Sequence, residues 1–496
     1  MSGKRAQREA RCARHRRWAR QSSAIGRLVL LVGAAVLVAG CSPDFLLKSD
    51  KLPPDVADPA ITRTPQGAVA AYNGLYEQFR RAFGGNDFGV ETSVVAIGGL
   101  LGDELQVGGQ IPGSSSTPSS SAPVSVDARA MLEGTENFTT LSAYSKLQRV
   151  RGQASQAIGL LTRYAPEQRA LTGHAYVFQA YSEIFLAELF CSGIPLSTLD
   201  FDGDYTLRPG SSTEDVYAHA LALLDTALTL AGDSVRVVNL ARVAQARAHL
   251  GLGQLAEAAA VAALVPDDYV YAVSYNSGAG SSVQNFAYFT PVSPWALSVS
   301  DLEGVNGMDY RTSGDPRVAA TRYANQAGQT SYHPDKYAGD GGSPIVLASG
   351  LEARLIEAEA ALAANDASWL AKLNALRTDG TFSTRPNASD STRTDTLWNA
   401  GTGGVAGLAP LDDPGAAGAR VDLLFRERAF WLFLTGHRQA DLRRLVRYYG
   451  RQESQVYPSG AYDASGASYG SDVNLPIPVE ESVSNPRFTG CISREP

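Results

Sequence analysis

Helical periodicity is the feature of this chain that most limits what it can fold into. From residue 139 onward, apolar and small residues recur at helical spacing, and turn-forming residues separate the periodic segments. The spacing predicts helices over 64–83, 139–164, 167–190, 213–231, 236–250, 253–264, 349–364, 366–377 and 419–449. A chain organised in this way is predicted to be mostly α-helical.

Two of these helices form a tight pair around a Leu-Gly-x-Gly turn. Alanine recurs through Ala241–Leu250 and again through Leu255–Ala259, with Gly251 and Gly253 between them. The pattern resembles one tetratricopeptide unit, in which small residues let two helices approach closely. Because one such unit cannot bury its own apolar face, neighbouring helices must cover it. We therefore predict tetratricopeptide-like helix pairs over about 64–264, packed against an irregular, loop-rich half.

The composition of two regions indicates where the irregular half lies. Residues 267–346 place tyrosine, phenylalanine and tryptophan among glycine, serine, asparagine and proline, which predicts an aromatic-rich loop insertion. A glycine-rich stretch, 84–112, runs into a serine- and proline-rich tract, 113–123, that is typical of an exposed loop. Helices resume over 349–449, and a tail of loop and short extended structure follows at 450–496.

The N-terminus carries an export signal. Leu28–Ala39 is an uncharged apolar run that would span roughly 18 Å as a helix, well short of a membrane core of about 30 Å. A basic head precedes it, and small residues lead to Cys41. This arrangement is that of a signal peptide, and Leu37-Val38-Ala39-Gly40-Cys41 resembles the lipobox of bacterial lipoproteins. We expect residues 1–40 to be removed, Cys41 to be acylated and 41–62 to form a tether. Arg16 and Arg17 leave the export route open.

Removal of the signal changes the charge balance. It takes away nine basic residues and one acid, which lowers the formal net charge from −7 to −15. An acidic body argues against nucleic-acid binding and against direct docking on anionic lipid head groups. The lipid anchor would therefore supply the attachment to the membrane.

Two cysteines remain in the processed chain, because Cys12 leaves with the signal and Cys41 is acylated. Export places Cys191 and Cys491 in an oxidising compartment, which favours a disulfide between them. The alternative is two free cysteines, one of them buried at a helix end.

No pattern in the sequence specifies catalysis, a cofactor or a metal. Gly466-Ala467-Ser468-Tyr469-Gly470 matches a nucleophile elbow as a string, but no helix is expected after it. Asp200, Asp202 and Asp204 have the spacing of a calcium loop, yet glycine is missing from its sixth place and an acid from its twelfth. A bound calcium and a solvated acidic turn both remain open.

The C-terminal third contains three charged motifs, Arg426-Glu427-Arg428, Gly436-His437-Arg438 and Asp441-Leu442-Arg443-Arg444. They resemble motifs in the long late helix of the SusD/RagB family of outer-membrane lipoproteins. Further similar segments, in the family's order, are Ala71–Tyr76, Gly102–Glu104, Phe190–Pro195, Leu355–Ala360, Leu475–Pro478 and Ser484–Pro486. Trp431 and Thr435 stand where the family often has glutamate, so the polar contacts of this helix should differ. The resemblance implies a SusD-like domain over 63–496.

The charged residues of this late helix also follow from its own pattern. Apolar side chains surround the helix, so its arginines, glutamate and aspartate must be buried and need partners. We interpret them as a structural network of ion pairs in preference to a binding site.

The resemblance implies a function as well as a fold. Such a protein would capture nutrients, often glycans, at the cell surface and deliver them to a SusC-type TonB-dependent transporter, without chemistry. Aromatic rings pack on the C–H faces of sugars, which makes Trp295, Tyr288 and Tyr310 candidate ligand contacts. Asp103 is a further candidate, since its segment borders the ligand face in the family. The alternatives are a scaffold subunit of the transporter without its own ligand and a surface glycoside hydrolase.

Overall fold

The helices of the protein follow one another as a stack, and short strand pairs join them. In a computed structural model the described residues are 62–85, 92–107, 122–131, 137–200, 202–277, 284–289, 297–324, 330–337, 341–378, 382–386, 394–398, 408–462 and 467–496. All of them belong to the unit Thr62–Pro496. The proposed signal, Cys41 and most of the tether lie outside the described residues.

The secondary structure is numbered in chain order. The helices are α1 Pro65–Gly84, α2 Val94–Leu101, α3 Ala122–Asp127, α4 Phe138–Tyr164, α5 Arg169–Leu189, α6 Thr213–Ala231, α7 Val235–Gly251, α8 Leu255–Ala262, α9 Gly350–Ala363, α10 Ser368–Thr378, α11 Ala417–Trp431, α12 Arg438–Tyr449, α13 Glu453–Val456 and α14 Val479–Ser484. The strands are β1 Leu105–Val107, β2 Ile194–Pro195, β3 Thr198–Leu199, β4 Tyr205–Thr206, β5 Gly210–Ser211, β6 Val270–Val273, β7 Leu297–Val299, β8 Ala320–Ala324, β9 Thr330–Pro334, β10 Ile345–Ser349, β11 Phe382–Pro386, β12 Thr394–Trp398, β13 Ala461–Tyr462 and β14 Ala467–Ser468.

Helices α1 and α4–α10 form an array in which each helix packs on the next. Helix α1 packs on α4, and the contacts continue in order from α4 to α10. Helix α8 packs directly on α9 although the aromatic-rich insertion separates them in sequence. This helical array confirms the predicted mostly α, tetratricopeptide-like fold, with boundaries within a few residues of those expected.

Capping side chains fix where several of these helices begin. Thr64 accepts the backbone N–H of Gly67 at 3.0 Å and Pro65 occupies the first turn of α1, as expected from the sequence. Ser212 caps α6 through the N–H of Asp215 at 3.1 Å. Close packing then depends on small residues, since a Cβ at Gly173 of α5 would lie 2.9 Å from the carbonyl oxygen of Ala227 in α6.

Within the described ranges the strands pair in twos, and the seven pairs found there are antiparallel. The pair β6–β10 brackets the insertion, and β8–β9 and β7 lie within it. Tyr332 of β9 donates its backbone N–H to Ser298 Oγ of β7 at 2.9 Å, which joins the two pairs. The expected irregular region thus contains short ladders, which satisfy backbone groups that the loops alone would leave unpaired.

The prediction of one long helix over 419–449 was wrong, because the structure has two helices there, α11 and α12. The chain bends at Leu432–His437, where Leu434 and Gly436 adopt positive φ values of 53° and 76°. The carbonyl groups that a continuous helix would use accept side-chain donors instead. Tyr337 Oη donates to the Leu434 carbonyl at 2.7 Å, Lys336 Nζ to that of Phe433 and Arg247 Nη2 to that of Gly436.

A disulfide joins Cys191 and Cys491, with their Cα atoms 5.9 Å apart. The backbone of Ser192 pairs with Ser493 beside it, and Leu475 donates to the Leu189 carbonyl oxygen at 2.8 Å. The turn after α5 and the C-terminal tail are therefore held together by covalent and backbone bonds.

Candidate functional site

Several residues singled out in the sequence meet where β1 pairs with β7. In this pair Leu105 lies opposite Val299 and Val107 opposite Leu297. Asp103 and Glu104 lead into β1, while Trp295 precedes Leu297 by two positions in the sequence. We call β1, β7 and the surrounding side chains of Asp103, Glu104, Asp127, Glu303 and Tyr310 the β1–β7 site.

Asp103 is the polar centre of this site and is completely buried. Arg438 of α12 donates to it through Nε at 2.6 Å and Nη2 at 2.7 Å, a bidentate ion pair. Tyr310 Oη donates to the same carboxylate at 3.1 Å, and its ring packs on Phe433 at 4.9 Å between centroids. Both candidate residues therefore hold other elements together, and neither side chain reaches the surface.

Glu104 connects β1 to the bend between α11 and α12. Its Oε1 accepts the Leu434 backbone N–H at 2.7 Å, while Oε2 has no hydrogen-bond partner among the described residues. Burial raises the pKa of Glu104 to about 8, although the Leu434 N–H opposes the shift. Burial also lowers the pKa of the nearby Lys336 ammonium to about 8. The buried carboxyl group of Glu104 and the half-buried ammonium group of Lys336 therefore change charge in the same pH range.

A second carboxyl pair lies at the far end of the β1–β7 site. Asp127 Oδ2 accepts the Val107 N–H and the Tyr462 hydroxyl, each at 2.8 Å. Glu303 accepts the Tyr469 hydroxyl at 2.7 Å and the Ser300 hydroxyl at 2.8 Å. Burial first, and then the charge of Asp127, raise the pKa of Glu303 well above its usual range. One proton shared between buried neighbouring carboxyls avoids placing two negative charges together.

The arginines of α11 and α12 form the network of ion pairs that the sequence led us to expect. Glu427 binds Arg317 and Arg377, each with a closest contact of 2.7 Å. Asp441 binds Arg428 at 2.8 Å and Arg444 at 2.9 Å. Burial raises the pKa of Asp441, but the two arginine charges outweigh it and bring the pKa to about 2. These buried, paired charges support the interpretation of a structural network.

The two departures from the family pattern have their own partners. Trp431 Nε1 donates to Glu427 Oε2 at 3.1 Å. Thr435 Oγ1 lies 2.9 Å from His437 Nδ1, and Arg247 Nη1 lies 2.9 Å from His437 Nε2. His437 Nε2 also lies 3.0 Å from Glu352 Oε1, so this ring nitrogen faces a guanidinium and a carboxylate together. Burial first, and then Arg247, lower the pKa of His437, while Glu352 opposes the shift.

Two of the predicted ligand contacts, Trp295 and Tyr288, have side chains outside the described part of the structure. Trp295 lies outside the described residues. The backbone of Tyr288 belongs to the 3₁₀ helix Phe286–Phe289, and its side chain is outside the described part. That short helix packs beside Tyr337, whose ring lies 5.7 Å from that of Phe286.

Sequence reasoning missed other residues of the region. The guanidinium of Arg311 lies 3.9 Å over the ring of the half-buried Tyr332, next to β7. Asp127 and Glu303 pair across a long stretch of chain, and no spacing in the sequence connects them. Only the density of tyrosines in the insertion indicated that aromatic residues would gather here.

The acidic turn at Asp200–Asp204 belongs to the hairpin β3–β4. Asp200 Oδ1 accepts the N–H groups of Asp202 and Asp204 at 3.0 and 2.8 Å, and Arg63 pairs with Asp202 at 3.1 Å. Across the described ranges no three His, Cys, Asp or Glu side chains are placed to hold a metal ion together. Nor is any helix of those ranges both long and apolar enough to cross a membrane.

Neither the protein-family models nor the curated proteins give a match to this chain. Solved structures do. A SusD superfamily protein from Bacteroides vulgatus aligns with a TM-score of 0.58 at 16% identity, over 88% of this chain and 100% of that one. A SusD-like carbohydrate binding protein from the same organism gives 0.56 at 13%, over 86% and 97%. A laminarin binding SusD-like protein gives 0.57 at 16%, over 87% and 99%. The chain therefore has the SusD-like fold.

Proposed function

We propose that the chain is a nutrient-binding lipoprotein of the outer membrane that captures a glycan and delivers it to a SusC-type TonB-dependent transporter. Acylation of Cys41 anchors it, and the body faces the cell exterior. It binds and releases its ligand without breaking bonds. The whole-length similarity to SusD-like structures, one named for carbohydrate binding and one for laminarin binding, carries the proposal.

The sequence supports the anchoring part of the proposal. A basic head, a short apolar run and a small-residue approach to Cys41 together provide export and acylation. Three acyl chains, as lipoproteins usually carry, exceed the two signals needed for stable attachment. The acidic body then needs no contact of its own with the lipid head groups.

The geometry of the β1–β7 site supports the binding part. Val107, the last described residue before the serine- and proline-rich tract, pairs with Leu297, which follows Trp295 closely in the sequence. The chain continues from Val107 toward the serine- and proline-rich tract, and Trp295 lies two positions before Leu297 in the sequence. We assign ligand contact to Trp295 and Tyr288, while the buried Asp103 and Tyr310 hold the residues around β1 in place.

Two other functions compete with this one. A scaffold subunit would bind the transporter and no saccharide. A glycoside hydrolase would need two carboxyl groups facing a common sugar ring. The described carboxyl pair of Asp127 and Glu303 is buried and bonded to tyrosines, which gives a substrate no access to it.

A glycan array with the detergent-solubilised lipoprotein separates the three functions. We expect binding to at least one class of oligosaccharide, with no release of reducing ends over hours. Trp295→Ala and Tyr288→Ala should weaken that binding by roughly tenfold each, the loss of about one stacking contact. Tyr205→Ala is the matched control, because this tyrosine is 63% exposed on β4, outside the β1–β7 site.

The outcomes differ for each function. Binding to co-purified transporter but to no glycan would favour the scaffold, and reducing ends would favour the hydrolase. For the anchor, Cys41→Ala should move the protein from the outer-membrane fraction to the soluble fraction. A Cys41→Ala protein that stays with the lipid and supports uptake equally well would contradict the proposal.

A further inference from the structure

A second concave surface lies at the end of the molecule formed by α9–α12, and it shares no residue with the β1–β7 site. It is an open groove of about 410 Å³ between the α9–α10 turn, the first turns of α11 and the last turn of α12. Ligand sites in proteins commonly measure about 300–1,000 Å³. The groove is therefore large enough for a small organic ligand.

Apolar and aromatic side chains form part of the groove wall. Leu370 and Val421 contribute aliphatic surface, and Tyr448 contributes a ring that is 39% exposed. The neighbouring Tyr449 is held in place, since its hydroxyl donates to Glu359 Oε1 at 2.9 Å. Tyr448 is held by a hydroxyl bond to the Gly251 carbonyl oxygen, also at 2.9 Å. Both rings are thus positioned before any ligand arrives.

Charged groups line the rest of the groove. Arg420 binds Asp413 through Nε and Nη2, both at 2.7 Å, and its Nη1 makes no hydrogen bond among the described residues. Asp366 uses Oδ1 to cap α10 through the Ser368 N–H at 2.9 Å. The bond from Arg420 lowers the pKa of Asp413, and the Ser368 N–H lowers that of Asp366. Both therefore remain carboxylates that accept hydroxyl protons.

This combination selects among ligand classes. A purely aliphatic ligand would cover charged groups without replacing their hydration, which is costly. An anionic ligand would meet two carboxylates and only one arginine. An extended peptide would need a free strand edge, whereas the described wall consists of helices and one loop. A hydroxyl-rich ring with apolar faces matches the exposed tyrosine, the carboxylate acceptors and the guanidinium donor together.

We propose that this groove is a second saccharide site, which takes a neutral hexose unit against Tyr448 with its hydroxyl groups on Asp366, Asp413 and Arg420. The site goes beyond the capture function, because it would bind sugar whether or not the β1–β7 site does. A second site of this kind would hold a long glycan at two points and raise its effective concentration at the protein.

Saturation-transfer NMR and crystal soaks with maltose, cellobiose and laminaribiose test the proposal. We expect at least one of them to occupy the groove, and glucuronate to give no signal there. Arg420→Ala and Tyr448→Ala should each weaken binding in the groove by roughly tenfold. Tyr448→Phe keeps the ring and should stay within about twofold of the original affinity. Arg420 lies at the rim and its removal should leave the fold intact, which covers the case that Tyr448→Ala is unstable.

The absence of all three disaccharides from the groove would overturn the proposal, and so would binding unchanged by both alanine variants. Trp295→Ala separates the two sites. If it abolishes every saccharide signal, the groove proposal fails and the capture function stands. If it leaves saccharide binding in the groove intact while binding on the glycan array is lost, both proposed sites are supported.

Discussion

In the helical array, neighbours in the sequence are neighbours in space, whereas the β1–β7 site is assembled from distant parts of the chain. Helices α4 to α7 pack in sequence order, through positions such as Gly173 where the backbones nearly touch. At the β1–β7 site, Asp103, Tyr310 and Arg438 meet through charge and hydrogen bonds. The array depends mainly on the packing of sequential helices, with buried ion pairs such as Arg151–Glu183 between α4 and α5, whereas the site depends on buried polar contacts between distant residues. The two regions should therefore respond differently to mutation.

The largest effect is expected from breaking the ion pair of Asp103 and Arg438. Arg438→Met leaves a carboxylate buried without its main partner, which costs about 3–5 kcal/mol in the free energy of unfolding. Urea unfolding measures the loss. The double variant Asp103→Asn with Arg438→Met removes both charges and should recover part of it. A loss below about 1 kcal/mol for Arg438→Met would show that the site depends on packing, as the array does.

The disulfide is expected to come next. Replacing Cys191 and Cys491 together with serine opens a loop of 300 residues and should lower the free energy of unfolding by about 2–5 kcal/mol. Thermal unfolding with and without reductant checks this result. The stability of the double variant should not change with reductant. The unmodified protein, once reduced, should be about as stable as the double variant. Equal stability of the oxidised and reduced proteins would contradict the prediction.

One part of the pH dependence of stability should originate at the site, beside the part that comes from the buried His174 of the array, whose pKa burial lowers to about 3. The folded-state pKa of Glu104, about 8, lies above its ordinary value of 4.5, so the folded protein retains a proton that the unfolded chain releases. Its contribution is full below about pH 4.5 and is lost as the pH rises through 8. Lys336 acts above that range. Its folded-state pKa of about 8 lies below its ordinary value of 10.5, so the folded protein releases this proton first and gains stability as the pH rises from 8 to 10.5.

Glu104→Gln isolates the first of these effects. Between pH 5 and 8 the unmodified protein should lose a few kcal/mol relative to the variant, since each unit of pKa difference corresponds to about 1.4 kcal/mol. Urea unfolding at several pH values gives the difference directly. Parallel stability curves for the two proteins would contradict the raised pKa of Glu104.

The smallest effect tests packing within the array itself. Gly173→Ala places a methyl group 2.9 Å from the Ala227 carbonyl oxygen and should cost about 1–3 kcal/mol. Gly152 in α4 is the matched control, because a methyl group added there would have nothing within 4 Å. Gly152→Ala should instead stabilise by about 0.5–1 kcal/mol through its helix propensity. Two changes of the same sign in thermal unfolding would contradict close packing at Gly173.

Sequence reasoning predicted most of the helical array well. The periodicity located the helices of the array, and Thr64 with Pro65 indicated the start of α1. These features depend on residues a few positions apart. The periodicity did not predict α2, which lies within the glycine-rich stretch. The resemblance to SusD/RagB lipoproteins added the fold, which the solved structures confirm.

The β1–β7 site and the bend between α11 and α12 could not be predicted in the same way. Local spacing carried no sign that Lys336 and Tyr337 would bind the carbonyl groups at Phe433 and Leu434, so α11 and α12 were expected as one helix. The pairing of Asp127 with Glu303 also depends on strands that come together only in the folded chain. Buried polar contacts of this kind combine groups from many elements, and no period in the sequence records them.

Calorimetric titration of the protein with the oligosaccharide selected by the glycan array is the decisive test of glycan capture. We expect saturable binding, a loss of roughly tenfold in affinity for Trp295→Ala, an unchanged affinity for Tyr205→Ala and no new reducing ends. Failure to bind any glycan, or binding that is equal in the two variants, would contradict capture at the β1–β7 site.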